Sequence, residues 1–288
     1  MTTTSTHRRA GIRPRAVASA GFAGLAYLAF VTASGYAVAF LAGRAVPRTV
    51  DRGGPHAGTA TAVLIDLLLL AGFATQHSVM ARPAFKRRCR RLVPQHMERA
   101  CYVLATSAVL AVTFWQWRSI PAVAWNLHDA AARAVLWALF VLGWFVVFAM
   151  TFVIDHLDML GLRQIARHLR GHRQITSTFK LPLPYQLVRH PMMTGFFIAF
   201  LAAPRMTAGH LLFALLGCGY IVVAVRLEEQ DLTDALPEYR QYAAGTPRFI
   251  PRPGRRAFAR GRHGSLSARP KPGDPARIPG AGRKALGS

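Results

Sequence analysis

The sequence predicts an all-α polytopic membrane protein with five to six transmembrane helices, the last two forming a hairpin. Two observations lead there. The chain of 288 residues is 52% hydrophobic yet carries a formal charge of +24. The two properties are also segregated, because long uncharged apolar runs alternate with short Arg-rich blocks. A nucleic-acid binder would carry the charge without the runs, so nucleic acid is not an expected partner. Cationic loops held on one side of a series of apolar segments are the signature of a multi-pass membrane protein.

The elements follow in order. A helical crossing needs roughly 20 apolar residues. Residues 16–42 hold no charge and predict the first span, with no secretory signal to be removed. Residues 59–80 predict the second, with one acid, Asp66, inside it. Residues 100–117 and 134–154 predict the third and fourth. A polar segment, 155–190, precedes a last apolar region, 191–227, broken at "APRMTAGH" by Pro204 and Gly209. Its first arm, 192–203, is short for a full crossing. Residues 254–288 form a second unit, a basic Arg/Pro/Gly/Ser tail too poor in apolar residues to offset its ordering entropy, free to lie on anionic membrane lipid. The preceding residues, 1–253, form one membrane domain.

Lys and Arg counts set the orientation. The N-terminal tail holds four, loop 43–58 three, loop 81–99 seven, loop 118–133 two, segment 155–190 six, the hairpin tip one, and the chain beyond 251 ten. Rich and poor blocks alternate, which predicts an inner-membrane protein with both termini in the cytoplasm. Cys89, Cys101 and Cys218 are too few and scattered for a disulfide framework or a CxxC metal site.

Polar residues gather at the predicted cytoplasmic helix ends. They are Gln76 and His77 after the second span, Asp155, His156 and Asp158 after the fourth, Arg189 and His190 before the hairpin, and Arg226, Glu228 and Glu229 at its close. Four groups on one side predict a shared site. Asp66 stands eleven residues before His77, near three helical turns, which sets both on one helix face as pocket lining. No HxxxH or HxxE pair stands at these ends, so no metal is expected. Pro191 suits a first helical turn, and the N-terminus of that helix offers free N–H groups to an anion, with Arg189 and His190 as added donors.

The motifs carry a resemblance. "YxxxRHPxxxG" (Tyr185 to Gly195), "EExxL" (Glu228, Glu229, Leu232) and "YxxYxxxxPRFIP" (Tyr239 to Pro251) resemble the isoprenylcysteine carboxyl methyltransferase-like, or NnrU-like, superfamily of membrane methyltransferases. "QHSVMARPAFK", "VPQHMERACYVL", "FWQW", "IDHLDMLGLRQ" and "MTAGHLLFA" are similar to its bacterial thiol-methylating branch, the methanethiol S-methyltransferases. The resemblance covers about residues 20–253.

It implies methyl transfer from S-adenosyl-L-methionine to methanethiol or a similar small thiol, giving dimethyl sulfide and S-adenosylhomocysteine. It places the methyl donor in a cytoplasm-facing pocket touched by Tyr185, Arg189, His190, Pro191, Met192 and Met193. One of Glu228 and Glu229 would hold the donor's amino group, and Arg226 would face its reacting end. Gln76, His77 and Asp66 would line the thiol pocket. The thiolate attacks far better than the thiol, so a base is needed, and His190, or His156 backed by Asp155, is the candidate. The chain departs from the pattern at Met193, where an aromatic is usual, at Leu183, where a glycine is usual, and at "LPEYRQY", one residue short and without its glycine. Two other readings stand beside this one. The first is a membrane methyltransferase for a carboxylate, phenol or lipid. The second is a non-enzymatic accessory or transport protein on the same scaffold. The oligomeric state is left open.

Overall fold

The computed structural model describes residues 14–169 and 182–252. The basic tail, most of the N-terminal cationic block and part of segment 155–190 lie outside the described residues.

Five helices are long and apolar enough to cross a membrane. They are α1 (Pro14–Ala42), α2 (Thr59–Ala81), α4 (Glu98–Gln116, entered through a 3₁₀ turn at Gln95–Met97), α5 (Ala130–Ile154) and α10 (Ala208–Ala235). Between them lie α3 (Pro83–Cys89), β1 (Val123–Asn126), α6 (His156–Met159), α7 (Leu162–Leu169), α8 (Leu183–Leu187), α9 (Pro191–Leu201) and β2 (Arg205–Thr207), and α11 (Pro237–Gly245) follows α10. The termini obey local rules. Asp129 caps α5 by accepting from Ala132 N, and Thr207 caps α10 by accepting from His210 N. Pro83, Pro191 and Pro237 each open a helix. The three cysteines are free thiols.

The hairpin is asymmetric. Helix α9 has 11 residues, about 16 Å of rise, roughly half of a bilayer core. The chain then leaves the helix, runs extended, and pairs antiparallel with β1 through Val123↔Thr207 and Asn126↔Arg205. Trp125 Nε1 donates to Ala203 O and Leu127 N to Pro204 O, so the extended stretch keeps its backbone paired. The short first arm is thus a half-length helix completed by a strand.

Backbone proximity explains how α9 is held. Gly143 opposes Ala199 and Gly195 opposes Val147, so that a Cβ at Gly143 would meet Ala199 N at 2.6 Å. Glycines let the two backbones touch, which is how helices associate where lipid removes the hydrophobic drive. The core beside this contact is Phe40, Phe114, Trp117, Phe140, Trp144, Val147 and Phe213. Leu28, Leu68, Val141, Phe145, Phe152 and Leu215 are exposed and face outward, as lipid allows.

The ends of the bundle differ in character. The far end carries loop 43–58, β1 and β2. There Arg48 stacks on Trp115 and Arg44 on Trp137, an aromatic belt of the kind found at membrane interfaces. The other end gathers the C-terminal ends of α2, α5 and α10 with the N-terminal ends of α4 and α9. It is tied together by the ion pairs Arg82–Asp231, Lys86–Glu98 and Arg99–Asp158.

Candidate functional site

Glu229, on the last turns of α10 and 5% exposed, is the centre of the polar end. Three cationic or imidazole groups converge on its carboxylate: Arg189 Nη1 at 3.1 Å, His190 Nε2 at 3.1 Å and Arg248 Nε at 2.7 Å. Two guanidinium groups against one carboxylate leave the cluster with surplus positive charge before His190 is counted.

The segment after α11 completes this site. Arg189 N donates to Pro247 O and His190 N to Arg248 O, a short strand-like ladder. Thr194 Oγ1 donates to Phe249 O at 2.8 Å, and the Phe249 ring packs on His190 and Phe197. The "PRFIP" stretch is therefore a strap across the start of α9. Met192 and Met193 are its first non-proline N–H groups, within a helical N-terminus that favours anions.

Three tyrosines surround the strap. Tyr242 donates its hydroxyl to Tyr185 O at 2.6 Å. Burial pushes Tyr185 up to about 12, with the Glu228 carboxylate adding to the effect. Burial also raises Tyr239 and Tyr242, each beside further negative or phenolic groups. All three stay protonated at neutral pH.

Other expected residues fall elsewhere. Glu228 is exposed, on the Tyr185 side of α10. Arg226 is exposed and makes no ion pair among the described residues. His77 contacts the Tyr102 hydroxyl at 2.9 Å and stacks on Phe73, and Gln76 donates weakly to Thr106. Ser78 meets the hydroxyl of Tyr220. Tyr220 and Glu229 are half a turn out of phase on α10, so His77, packed on Tyr220, faces the side of α10 away from Glu229. Asp66 is fully buried near the far end, accepting from Arg118 N at 2.9 Å. It shares a helix face with His77 but lies about 16 Å away along the axis. His77 thus sits on a different face of the bundle from Glu229, and Asp66 lies at a different depth.

Asp155 does not back His156. It sits at φ 106°, caps α6 by accepting from Asp158 N, and pairs with Arg163. Thr151 takes its place: its hydroxyl lies 2.8 Å from His156 Nδ1, and Tyr27 OH lies 3.3 Å from Nε2. Continuing the antiparallel α5–α9 register sets Thr151 opposite Pro191. Thr151, which bonds His156, is therefore level with the start of α9. Among the described residues no three His, Cys, Asp or Glu side chains gather as a metal site. Sequence reasoning did not single out Arg248, Thr151 and Tyr27. The "PRFIP" motif signalled the first, and nothing local marks the other two.

The NnrU protein family profile matches residues 63–234. The chain belongs to the NnrU family. It is 48% identical over 233 residues to a protein of Mycobacterium tuberculosis named methanethiol S-methyltransferase, covering 80% of this chain and 94% of that one. Methanethiol S-methyltransferase 1 of Bradyrhizobium diazoefficiens is 47% identical over 78% of this chain and 79% of its own. The methanethiol S-methyltransferase of Pseudomonas deceptionensis is 45% identical over 72% and 79%. No solved structure matches.

Proposed function

We propose that the protein transfers a methyl group from S-adenosyl-L-methionine to methanethiol, releasing dimethyl sulfide and S-adenosylhomocysteine. The observation that carries this reading is the 48% identity over nearly the whole length of a relative bearing that activity in its name. The site chemistry supports it. A methyl donor with a carboxylate suits the free N–H groups at the start of α9 and the surplus charge of Arg189 and Arg248. Residues Tyr185, Arg189, His190, Pro191, Met192 and Met193 would hold it. Its ammonium would meet Glu228, which is exposed and without a guanidinium partner among the described residues, rather than the triply engaged Glu229. Glu229, Arg248 and the strap orient this machinery.

When bound, S-adenosyl-L-methionine supplies an electrophilic methyl group on a sulfonium. The chain's own contribution is to position it and to keep water scarce. Methanethiol is small and apolar, and it can arrive through lipid beside α5 and α9. The Lys and Arg distribution supports placing this end at the cytoplasmic face of the inner membrane, where the donor is made, with both termini on that side.

An acceptor panel tests the assignment. Purified protein in detergent is given the donor with methanethiol, a short carboxylate, a phenol or lipid, and S-adenosylhomocysteine is measured. Turnover with methanethiol alone is expected. Turnover only with another acceptor overturns the substrate, and donor binding without turnover on any acceptor overturns the enzyme.

A further inference from the structure

We propose that His156 accepts the proton of the thiol, and that Thr151 and Tyr27 position its ring for that task. The proposal rests on the reading of the protein as a thiol methyltransferase and adds the group that generates the thiolate.

The hydrogen bonds fix the tautomer. The Thr151 hydroxyl has one hydrogen, and it lies 2.7 Å from Phe148 O, which can only accept. That hydrogen is committed to the carbonyl. The 2.8 Å contact between Thr151 Oγ1 and His156 Nδ1 is then donated by Nδ1–H. A neutral imidazole carries one N–H, so Nε2 holds the lone pair. Nε2 faces the Tyr27 hydroxyl at 3.3 Å, a long bond that an entering thiol can displace.

The ring is clamped in this orientation. Phe152 stacks on it at 4.5 Å and 10°, and Tyr27 and Phe30 meet it edge-on. His156 is half-buried, and its anchor Thr151 is level with Pro191. His190 is differently engaged, since its Nε2 donates to the buried Glu229 carboxylate. The charged groups around His156 are paired with one another. On α6, Asp155 is held by Arg163 of α7, and Asp158 by Arg99 of α4 and Arg167 of α7. From α1 the titratable group facing the ring is Tyr27, and α5 presents Thr151.

The step balances. The thiol S–H bond breaks and its proton moves to Nε2, giving an imidazolium whose new N–H turns to the Tyr27 oxygen. The thiolate sulfur bonds to the methyl carbon. The carbon–sulfonium bond breaks and leaves its electron pair on the donor sulfur as a thioether. The imidazolium then returns its proton to water.

The test uses His156→Gln, Thr151→Val and Tyr27→Phe in purified full-length protein. Donor affinity by calorimetry is expected to equal the parent's in all three. His156→Gln should turn over about 100-fold more slowly at pH 7. That deficit should shrink about tenfold per pH unit, because solvent then supplies the thiolate. Thr151→Val frees Nδ1 and should lower kcat about tenfold with KM little changed, and Tyr27→Phe should lower it less. A pH-independent deficit or a parent-like pH profile in His156→Gln overturns the proposal. A parent that binds neither donor nor thiol overturns the underlying methyltransferase reading, a separate failure.

Discussion

Glu228 and Glu229 are neighbours in sequence and are expected to respond oppositely to removal of their charge. Glu229→Gln strips the counter-charge from Arg189, whose side chain is 12% exposed, and from Arg248, at 44%. Breaking a buried ion pair costs about 3–5 kcal/mol, and the exposed Arg248 shifts the expectation to the low end, ~3 kcal/mol. That lowers the thermal midpoint by ~6–10 °C for a chain of this size. The strap at 247–249 should loosen with it, because Arg248 carries both the ion pair and a ladder bond to His190. Glu228→Gln touches no such network. It should leave the midpoint within about 1–2 °C and weaken donor binding ~10- to 100-fold by loss of a charge-assisted hydrogen bond. Thermal unfolding in detergent and calorimetric titration of S-adenosyl-L-methionine into both variants measure the two effects. If Glu229→Gln is as stable as the parent, the convergence of three donors on it is not a structural lock. If Glu228→Gln binds the donor normally, the ammonium is held elsewhere.

Further expectations concern the strap, the glycine contact and the tyrosines. Ending the chain after Arg252 should leave activity within a few-fold of the parent, whereas ending it after Gly245 should abolish donor binding in protein that still inserts. Gly143→Ala should destabilise the fold by about 1–3 kcal/mol, since the added carbon meets Ala199 N at 2.6 Å; chemical denaturation reports it. Tyr185, Tyr239 and Tyr242 titrate higher in the fold than free tyrosine, near 10. The folded state binds their protons more tightly, so their stabilising share is complete below pH 10 and is lost as pH rises from 10 towards 12. Unfolding midpoints measured from pH 8 to 12 should show that decline, and Tyr185→Phe should blunt it. A reporter fused to the C-terminus should be active only in the cytoplasm.

The spans were legible because lipid leaves the sequence little freedom: residues 16–42 and 134–154 are charge-free, and the helices found are Pro14–Ala42 and Ala130–Ile154. The Arg189–His190–Pro191 start and the Glu228–Glu229 close were legible as chemistry because fixed cations and acids at the ends of apolar runs need partners. Their sorting was not legible. Which acid turns inward depends on the phase of α10, and that phase is set by packing against α9 and the strap. Asp66 shows a related limit: the period correctly gave a shared face with His77, but a face extends over the whole helix and the two sit at different depths. Asp155 was expected to support His156 by adjacency, whereas the left-handed turn at φ 106° directs it to Arg163. Tyr27 stands far away in sequence, in a helix whose polarity pattern gives it no distinction.

The transfer itself can be followed directly. Purified protein, S-adenosyl-L-methionine carrying a deuterated methyl group and unlabelled methanethiol are sealed together, and the headspace is analysed by mass spectrometry. The account predicts dimethyl sulfide with one deuterated and one ordinary methyl group, formed in step with S-adenosylhomocysteine. Protein that binds the donor yet releases no labelled dimethyl sulfide, or that passes the label to lipid instead, contradicts it.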